Sequence, residues 1–365
     1  MVKNRTNPDW KLVLIILFLL GIGIIMVYSA SAIIAYSEMG DWYYYTKRQL
    51  LFALVGLLSM YIMMNIDYWL LKRWAKVGLI SCFVLLIIVL IPGVGSTRGG
   101  ATSWLGIGTF GIQPSEFFKL GMIIFLARRF SEQQEKMNSF RKGILPPLLI
   151  LALAIGLIML QPDLGSVTVI AGTVLLMIYT AGANTKYLGG MLIVGIVGFI
   201  GLILAAPYRI SRIVAFLDPW QDPLGAGYQL IQSLYAIGPG GLLGLGLGMS
   251  RQKYFYVPEP HTDFIFAILA EELGFIGAST VLLLFISLIW RGLRIAITAP
   301  DFFGSFLAVG IVGMVAIQVI INIGVVTGMF PVTGITLPLL SYGGSSLVLT
   351  LTAMGILLNI SRYSR

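Results

Sequence analysis

The chain has one cysteine and one histidine in 365 residues, and only 11% of its side chains are charged. The lone cysteine, Cys82, can form no internal disulfide. It lies mid-run among Ile, Phe and Leu, as a small buried hydrophobe does. One histidine and one cysteine cannot build a zinc site. No Gly-x-x-x-x-Gly-Lys-Ser/Thr loop, His-Glu-x-x-His pair or Gly-x-Ser-x-Gly elbow occurs, so a P-loop ATPase and those hydrolase classes are excluded. Soluble domains carry about 25% charged residues, and the shortage here excludes that class as well.

What replaces the charge is apolar. The composition is 58% hydrophobic and the mean hydropathy is +0.94. This describes an all-α polytopic membrane protein, read as one transmembrane domain over residues 1–365. The formal net charge of +9 does not point to nucleic acid. The basic residues are scattered among short loops, with no basic stripe or RNA-binding module, which is the pattern of the positive-inside rule.

About ten spans are predicted with a 20-residue window. They are Leu12–Ile34, Leu50–Ile66, Val77–Pro92, Pro114–Phe130, Ile144–Leu160, Leu164–Ala181, Tyr187–Ala206, Phe264–Trp290, Phe303–Met329 and Ser341–Ile360. The first apolar run is too long for a signal h-region, so Ala30-Ser31-Ala32 is not read as a cleavage site. Lys3, Arg5, Lys11, Lys72, Arg73, Lys76, Arg128, Arg129, Arg141 and Arg291 fall in one set of loops, which is read as cytoplasmic. Both termini are then inside, the loop from about 207 to 262 is outside, and Asp263 opens onto the outer face of the cytoplasmic membrane.

The stretch Pro258-Glu259-Pro260-His261-Thr262-Asp263-Phe264 sets up the site. Two prolines hold off a helix before His261, and Thr262 is placed to cap the apolar helix that follows. Asp263 sits at the mouth of that helix, whose N-terminus is expected to keep it ionised. Glu271 and Glu272 lie roughly 12 Å further along and read as buried hydrogen-bonding groups. His261 reads as a turn residue near the interface.

Elsewhere, Glu116 and Lys119 are three apart, on one face of a helix that Pro114 begins. They form either a structural ion pair or part of a substrate site. Gly93–Gln113 reads as a loop. In the large external loop, Arg209–Leu217 is an amphipathic surface helix carrying Arg209 and Arg212. Gly227–Gly248 is apolar but broken by glycine, as a re-entrant segment is. Gln318 and Asn322 are four apart and read as polar glue between helices. The Thr333–Ser346 run is broken by Pro, Gly and hydroxyls, as cavity-lining segments are.

Carboxylates and cations at a membrane surface suit two tasks. One is general-base chemistry on a hydroxyl, with cations holding a phosphate leaving group. The other is ion-coupled transport through buried acids. Four motifs, in order, resemble the SEDS family, which includes FtsW, RodA and SpoVE. They are Pro114-Ser115-Glu116-Phe117-Phe118-Lys119, Gln161-Pro162-Asp163-Leu164-Gly165, His261–Ala267 with Glu271-Glu272-Leu273-Gly274, and the Thr333–Ser346 run. The short termini and Val27-Tyr28-Ser29-Ala30-Ser31-Ala32 lean toward the FtsW/SpoVE branch.

That resemblance implies ten helices and a peptidoglycan glycosyltransferase that polymerises lipid II into glycan strands, in cell division or sporulation. It also implies a class B penicillin-binding protein as the transpeptidase partner, and Asp263 as the catalytic residue. The product bond calls for one inverting displacement, hence one base, taken as Asp263. Lys119, Arg209, Arg212 and Lys253 are candidate groups for the pyrophosphate. Glu116, Arg48 and Ser345 complete the candidate substrate-binding set. The sequence establishes no cofactor. A divalent cation, Mg2+ or Mn2+, would fall to Asp263 and Glu116. A lipid II flippase and a non-catalytic scaffold for the penicillin-binding protein are the competing readings.

Overall fold

The structure is a computed structural model and describes residues 5–98, 101–106, 111–204 and 207–364. Twelve α-helices run through it: α1 (Trp10–Met39), α2 (Tyr44–Asn65), α3 (Trp69–Ile88), α4 (Pro114–Glu132), α5 (Leu145–Met159), α6 (Leu164–Thr180), α7 (Thr185–Leu204), α8 (Pro207–Leu217), α9 (Tyr228–Ile237), α10 (Ile265–Thr298), α11 (Phe302–Val326) and α12 (Gly344–Ser361). Each of the ten predicted spans falls on one of these helices. Six helices among the described residues are long and apolar enough to cross a membrane: α1, α2, α10, α11, α12 and the run Phe140–Met159 that contains α5. The amphipathic Arg209–Leu217 stretch is helical, within α8. The Gly93–Gln113 segment is more than a loop: β1 (Gly95–Arg98) pairs antiparallel with β2 (Ala101–Leu105).

Helix ends follow local chemistry. The Asp9 carboxylate accepts the Leu12 N–H at 3.1 Å and so caps α1. The same carboxylate accepts from the Arg291 guanidinium at 2.6 Å, tying the start of α1 to the second half of α10. Asp163 caps α6 by accepting from Ser166 N–H at 2.9 Å, and Asp301 caps α11 through Gly304 N–H at 2.8 Å.

The core gathers around α11 and α12, which are buried along most of their length. Small residues allow close helix approach. A Cβ on Gly355 of α12 would collide with the Met60 backbone of α2, and one on Gly313 of α11 would collide with Leu176 of α6. Ser59 and Thr352 hydroxyls meet at 2.7 Å across the α2–α12 contact.

The glycine-broken segment has a specific seat. Within α10, Gly274 takes φ 64 and ψ −164, so the helix is interrupted there. The interruption frees backbone groups, which must find other partners. Leu245 and Gly246 N–H groups donate to the Glu271 and Glu272 carbonyls at 3.0 Å each. Phe275 and Ile276 N–H groups donate to Gly241 and Leu242 carbonyls at 2.8 and 3.2 Å. A Cβ on Gly274 would strike Gly244 N, and one on Gly244 would strike the Glu272 carbonyl. The loop and the broken helix therefore fit together through glycine on both sides, with the freed backbone groups of each bonded to the other.

Candidate functional site

A cavity of about 810 Å³ lies among α1, α2, α4, α6, α8 and α11, closed by the 255–263 and 331–346 segments. Asp263, Glu116, Lys119, Asp163, Arg209, Arg212 and His261 all line it. Acids and cations separated by up to 147 residues, from Glu116 to Asp263, thus converge on one space.

Lys119 Nζ donates to Glu116 Oε1 at 2.7 Å on the first turns of α4. The lysine side chain is 4% exposed and the glutamate 11%, so the pair is held in a poor solvent for charge. Such a pair persists when each partner keeps the other. Next to it, Asp163 accepts from Gln113 Nε2 at 3.2 Å and from the Ser115 hydroxyl at 3.3 Å. This joins the start of α6 to the start of α4.

Asp263 lies just before α10, which begins at Ile265. Thr262 does not cap that helix. Its hydroxyl lies 2.9 Å from the Glu259 carbonyl and 3.0 Å from Asp263 Oδ1, so it closes the preceding turn instead. The expectation of an acid held ionised by the helix terminus is revised. Burial is the larger influence and raises the Asp263 pKa to about 6; the Thr262 hydroxyl and the Arg212 charge oppose it. Asp263 is half-buried, faces the cavity, and is still mainly ionised at neutral pH. The backbone there is fixed by Asn322 of α11, whose amide donates to the Asp263 and Ile335 carbonyls at 2.7 Å each.

Other predicted site residues lie elsewhere. Lys253 does not line the cavity. It is 4% exposed, and its ammonium donates to Glu272 Oε1 at 3.0 Å, Ser29 Oγ at 3.2 Å and the Gly248 carbonyl at 2.6 Å. Glu271 accepts from the Ser250 hydroxyl at 2.5 Å and from Arg251 N–H at 2.8 Å. Glu271 and Glu272 therefore anchor the loop that leads to Asp263, as the buried hydrogen-bonding reading expects. Ser345 accepts from Gln113 N–H at 3.1 Å and donates to the Gly111 carbonyl at 3.2 Å, so it ties α12 to the chain before α4. The Arg48 guanidinium lies over the Tyr44 ring at 4.4 Å, outside the cavity wall.

Arg209 is buried on the wall, while Arg212 is exposed and donates to the Val332 carbonyl at 3.3 Å. Both come from α8, so this helix contributes positive charge to the cavity that Asp263 faces. A resident metal finds no ready donor set: among the described residues no three His, Cys, Asp or Glu side chains are grouped closely enough to hold one. Glu116 is moreover committed to Lys119. The divalent cation expected at Asp263 and Glu116 therefore has no third carboxylate, imidazole or thiol grouped with them among the described residues.

His261 lies in a turn, as the sequence reading has it, but its burial on the cavity wall was not foreseen. It is buried, with its ring 4.4 Å from Tyr45 and 5.4 Å from Tyr342, on the cavity wall. No local pattern announces this, because Tyr45 comes from α2 and Tyr342 from the segment before α12.

The chain matches the FtsW/RodA/SpoVE family, described as cell cycle proteins, over residues 10–365. It is 60% identical over 365 residues to the stage V sporulation protein E of Bacillus subtilis (strain 168), with 100% of each chain covered. It is 45% identical to the probable peptidoglycan glycosyltransferase FtsW of Trichlorobacter lovleyi over 353 residues, covering 97% of this chain and 93% of that one. Among solved structures, it resembles a chain from a peptidoglycan synthase complex studied for its coordination of polymerization and crosslinking. The TM-score is 0.79 at 32% identity, with 97% and 98% of the chains covered. It also resembles the rod shape determining protein RodA of Thermus thermophilus, with a TM-score of 0.73 at 29% identity and 97% of each chain covered.

Proposed function

The chain belongs to the FtsW/RodA/SpoVE family, and from that premise we propose that it is a peptidoglycan glycosyltransferase that polymerises lipid II in cell division or sporulation. The observation that carries this reading is the single cavity in which Asp263 meets the cations Lys119, Arg209 and Arg212. A polymerase needs a base for the acceptor hydroxyl and positive charge for the departing pyrophosphate.

In the proposed step, Asp263 accepts the proton of the acceptor sugar's 4-hydroxyl as its oxygen attacks the anomeric carbon of the donor. The bond from that carbon to the lipid-linked pyrophosphate breaks, and the electron pair leaves with the pyrophosphate. One displacement inverts an α-linked donor to a β-1,4 product, without a covalent sugar intermediate. A carboxylate with a pKa near 6 is a better proton acceptor than an ordinary aspartate and is still ionised at neutral pH. Arg209 and Arg212 bring charge from α8 toward the leaving group, and Lys119, oriented by Glu116, brings it from α4.

We place the cavity on the outer face of the cytoplasmic membrane, with both termini inside and ten membrane-crossing helices, α1 to α7 and α10 to α12. The bias of Lys and Arg toward alternate loops supports this placement. Membrane lipid covers the apolar faces. A transpeptidase of the class B penicillin-binding type is the proposed partner, supported by the likeness to a chain from a complex that polymerises and crosslinks.

Purified full chain in detergent, given lipid II and no membrane gradient, should form glycan strands. A flippase would instead need sealed vesicles and would form no new glycosidic bond, so movement of lipid II without strand formation would overturn the reading.

A further inference from the structure

The far end of α4 carries a dense positive surface. This helix begins at Pro114, beside the cavity residues Glu116 and Lys119, and ends at Glu132. At about 1.5 Å per residue, its last turn lies roughly 18 Å from Lys119. There it draws other elements together. Arg128 Nη1 donates to the Lys72 carbonyl at 3.1 Å, at the start of α3. Arg129 Nη2 donates to the Lys142 carbonyl at 3.0 Å, in the segment before α5. The Phe140 ring of that segment lies 5.5 Å from the Tyr187 ring, near the start of α7.

The arginines that build this junction are turned inward, onto carbonyls and onto Glu132. A second set of cations is left outside it. Arg73 and Lys76 of α3, Lys136, Arg141 and Lys142 between α4 and α5, and Lys186 of α7 are all exposed. Among the described residues, none of their side-chain nitrogens is held in a hydrogen bond or an ion pair. The acids at this end of the same segments are Glu132, already 3.2 Å from Arg128, and Glu135. Cations gathered without matching acids hold a positive potential, which draws in an external anion.

The neighbouring side chains favour a lipid headgroup over a soluble anion. Trp74, 56% exposed, stands between Arg73 and Lys76 in the chain, and Phe140, 37% exposed, precedes Arg141. Exposed aromatic rings beside basic residues at helix ends are the pattern of a membrane interface, where rings meet the acyl boundary and cations meet phosphates.

We propose that this junction of α3, α4, α7 and the 134–144 segment is a binding surface for anionic phospholipid headgroups, held by Arg73, Lys76, Arg141 and Lys142. The surface lies outside the reaction site and does not depend on the glycosyltransferase reading.

The test uses the purified full chain in detergent, mixed with phosphatidylglycerol or with phosphatidylcholine, and counts the retained lipids by native mass spectrometry. Wild-type chain should retain phosphatidylglycerol in preference to phosphatidylcholine. Arg141→Gln with Lys142→Gln should weaken that retention about ten- to thirtyfold, the effect of two cations at an anionic surface. Lys11→Gln with Arg294→Gln removes the same charge from exposed positions on α1 and α10, near the Asp9–Arg291 pair, and should change retention by less than about twofold. Both pairs of substitutions replace exposed side chains that hold no other element in place. Equal weakening by the two pairs would mean diffuse attraction and would overturn the proposal. Equal retention of the two lipids would overturn it as well, and so would displacement of phosphatidylglycerol by equimolar inorganic phosphate, the mark of a site for free anions.

Discussion

The side-chain amide of Asn322 donates to the backbone carbonyl of Asp263 at 2.7 Å and to that of Ile335 at the same distance. One residue of α11 therefore sets the position of the loop that carries Asp263 and of the strip that follows α11. Asn322→Leu should remove both bonds and leave two carbonyls unpaired. The cost is about 1–3 kcal/mol for each buried group so exposed. Thermal unfolding in detergent should fall by several degrees, and turnover should fall further than lipid II binding does. Unchanged turnover would separate Asn322 from the placement of Asp263.

Glu272 and Lys253 form a second buried ion pair, 3.0 Å apart, and neither lines the cavity. Removing one partner strands the other's charge, at about 3–5 kcal/mol. Lys253→Met should therefore lower the unfolding temperature sharply, and Lys253→Met with Glu272→Gln should recover part of the loss. Lys119→Ala strands Glu116 in the same way, and is expected in addition to raise the lipid II concentration needed for half-maximal rate. A Lys253→Met chain as stable as wild type would remove the anchoring role.

Gly274 and Gly244 meet where the glycine loop enters the break in α10, both at positive φ. Ala at either position meets backbone rather than a flexible side chain. Gly274→Ala and Gly244→Ala should each cut the yield of folded protein severely. Gly21→Ala, in α1 with open space around it, should be near neutral. Yields measured by size-exclusion chromatography in detergent decide this, and normal folding of Gly274→Ala would contradict the seat described above.

The raised pKa of Asp263 has two consequences with definite signs. A base must be ionised, so turnover at limiting lipid II should rise with pH along an acid limb centred near 6. For stability the sign is the reverse. Between the ordinary value of 3.8 and about 6, the folded state keeps a proton that the unfolded chain has lost, so this group makes stability fall as pH rises across that window. Asp263→Asn should remove the second effect and be no less stable than wild type at pH 7.5. An acid limb centred near 4 would contradict the desolvation of Asp263 in its half-buried setting.

Much of this was legible from local pattern. The ten apolar stretches, the amphipathic α8 and the three-residue spacing of Glu116 and Lys119 are all short-range signals, and a period or a neighbour suffices to read them. Asp263 stood out because an acid beside a long apolar run is costly unless used. The rest depends on partners distant in the chain. Lys253 looked like a free cation in an external loop, but its partners Glu272 and Ser29 lie 19 and 224 residues away. Ser345 looked like a cavity hydroxyl, yet it bonds to Gln113 and Gly111, 232 and 234 residues away. The glycines of 240–248 announced irregular backbone, but not that a break in α10 at Gly274 would receive it. Spacing could not foresee which face of α11 would turn Gln318 to the cavity and Asn322 to the loop.

The most direct measurement is lipid II polymerisation by the purified Asp263→Asn chain, compared with wild type at pH 7.5, with unfolding temperatures recorded on the same samples. The account predicts no detectable glycan strands from a variant at least as stable as wild type. Strand formation by Asp263→Asn at a rate near wild type would contradict it.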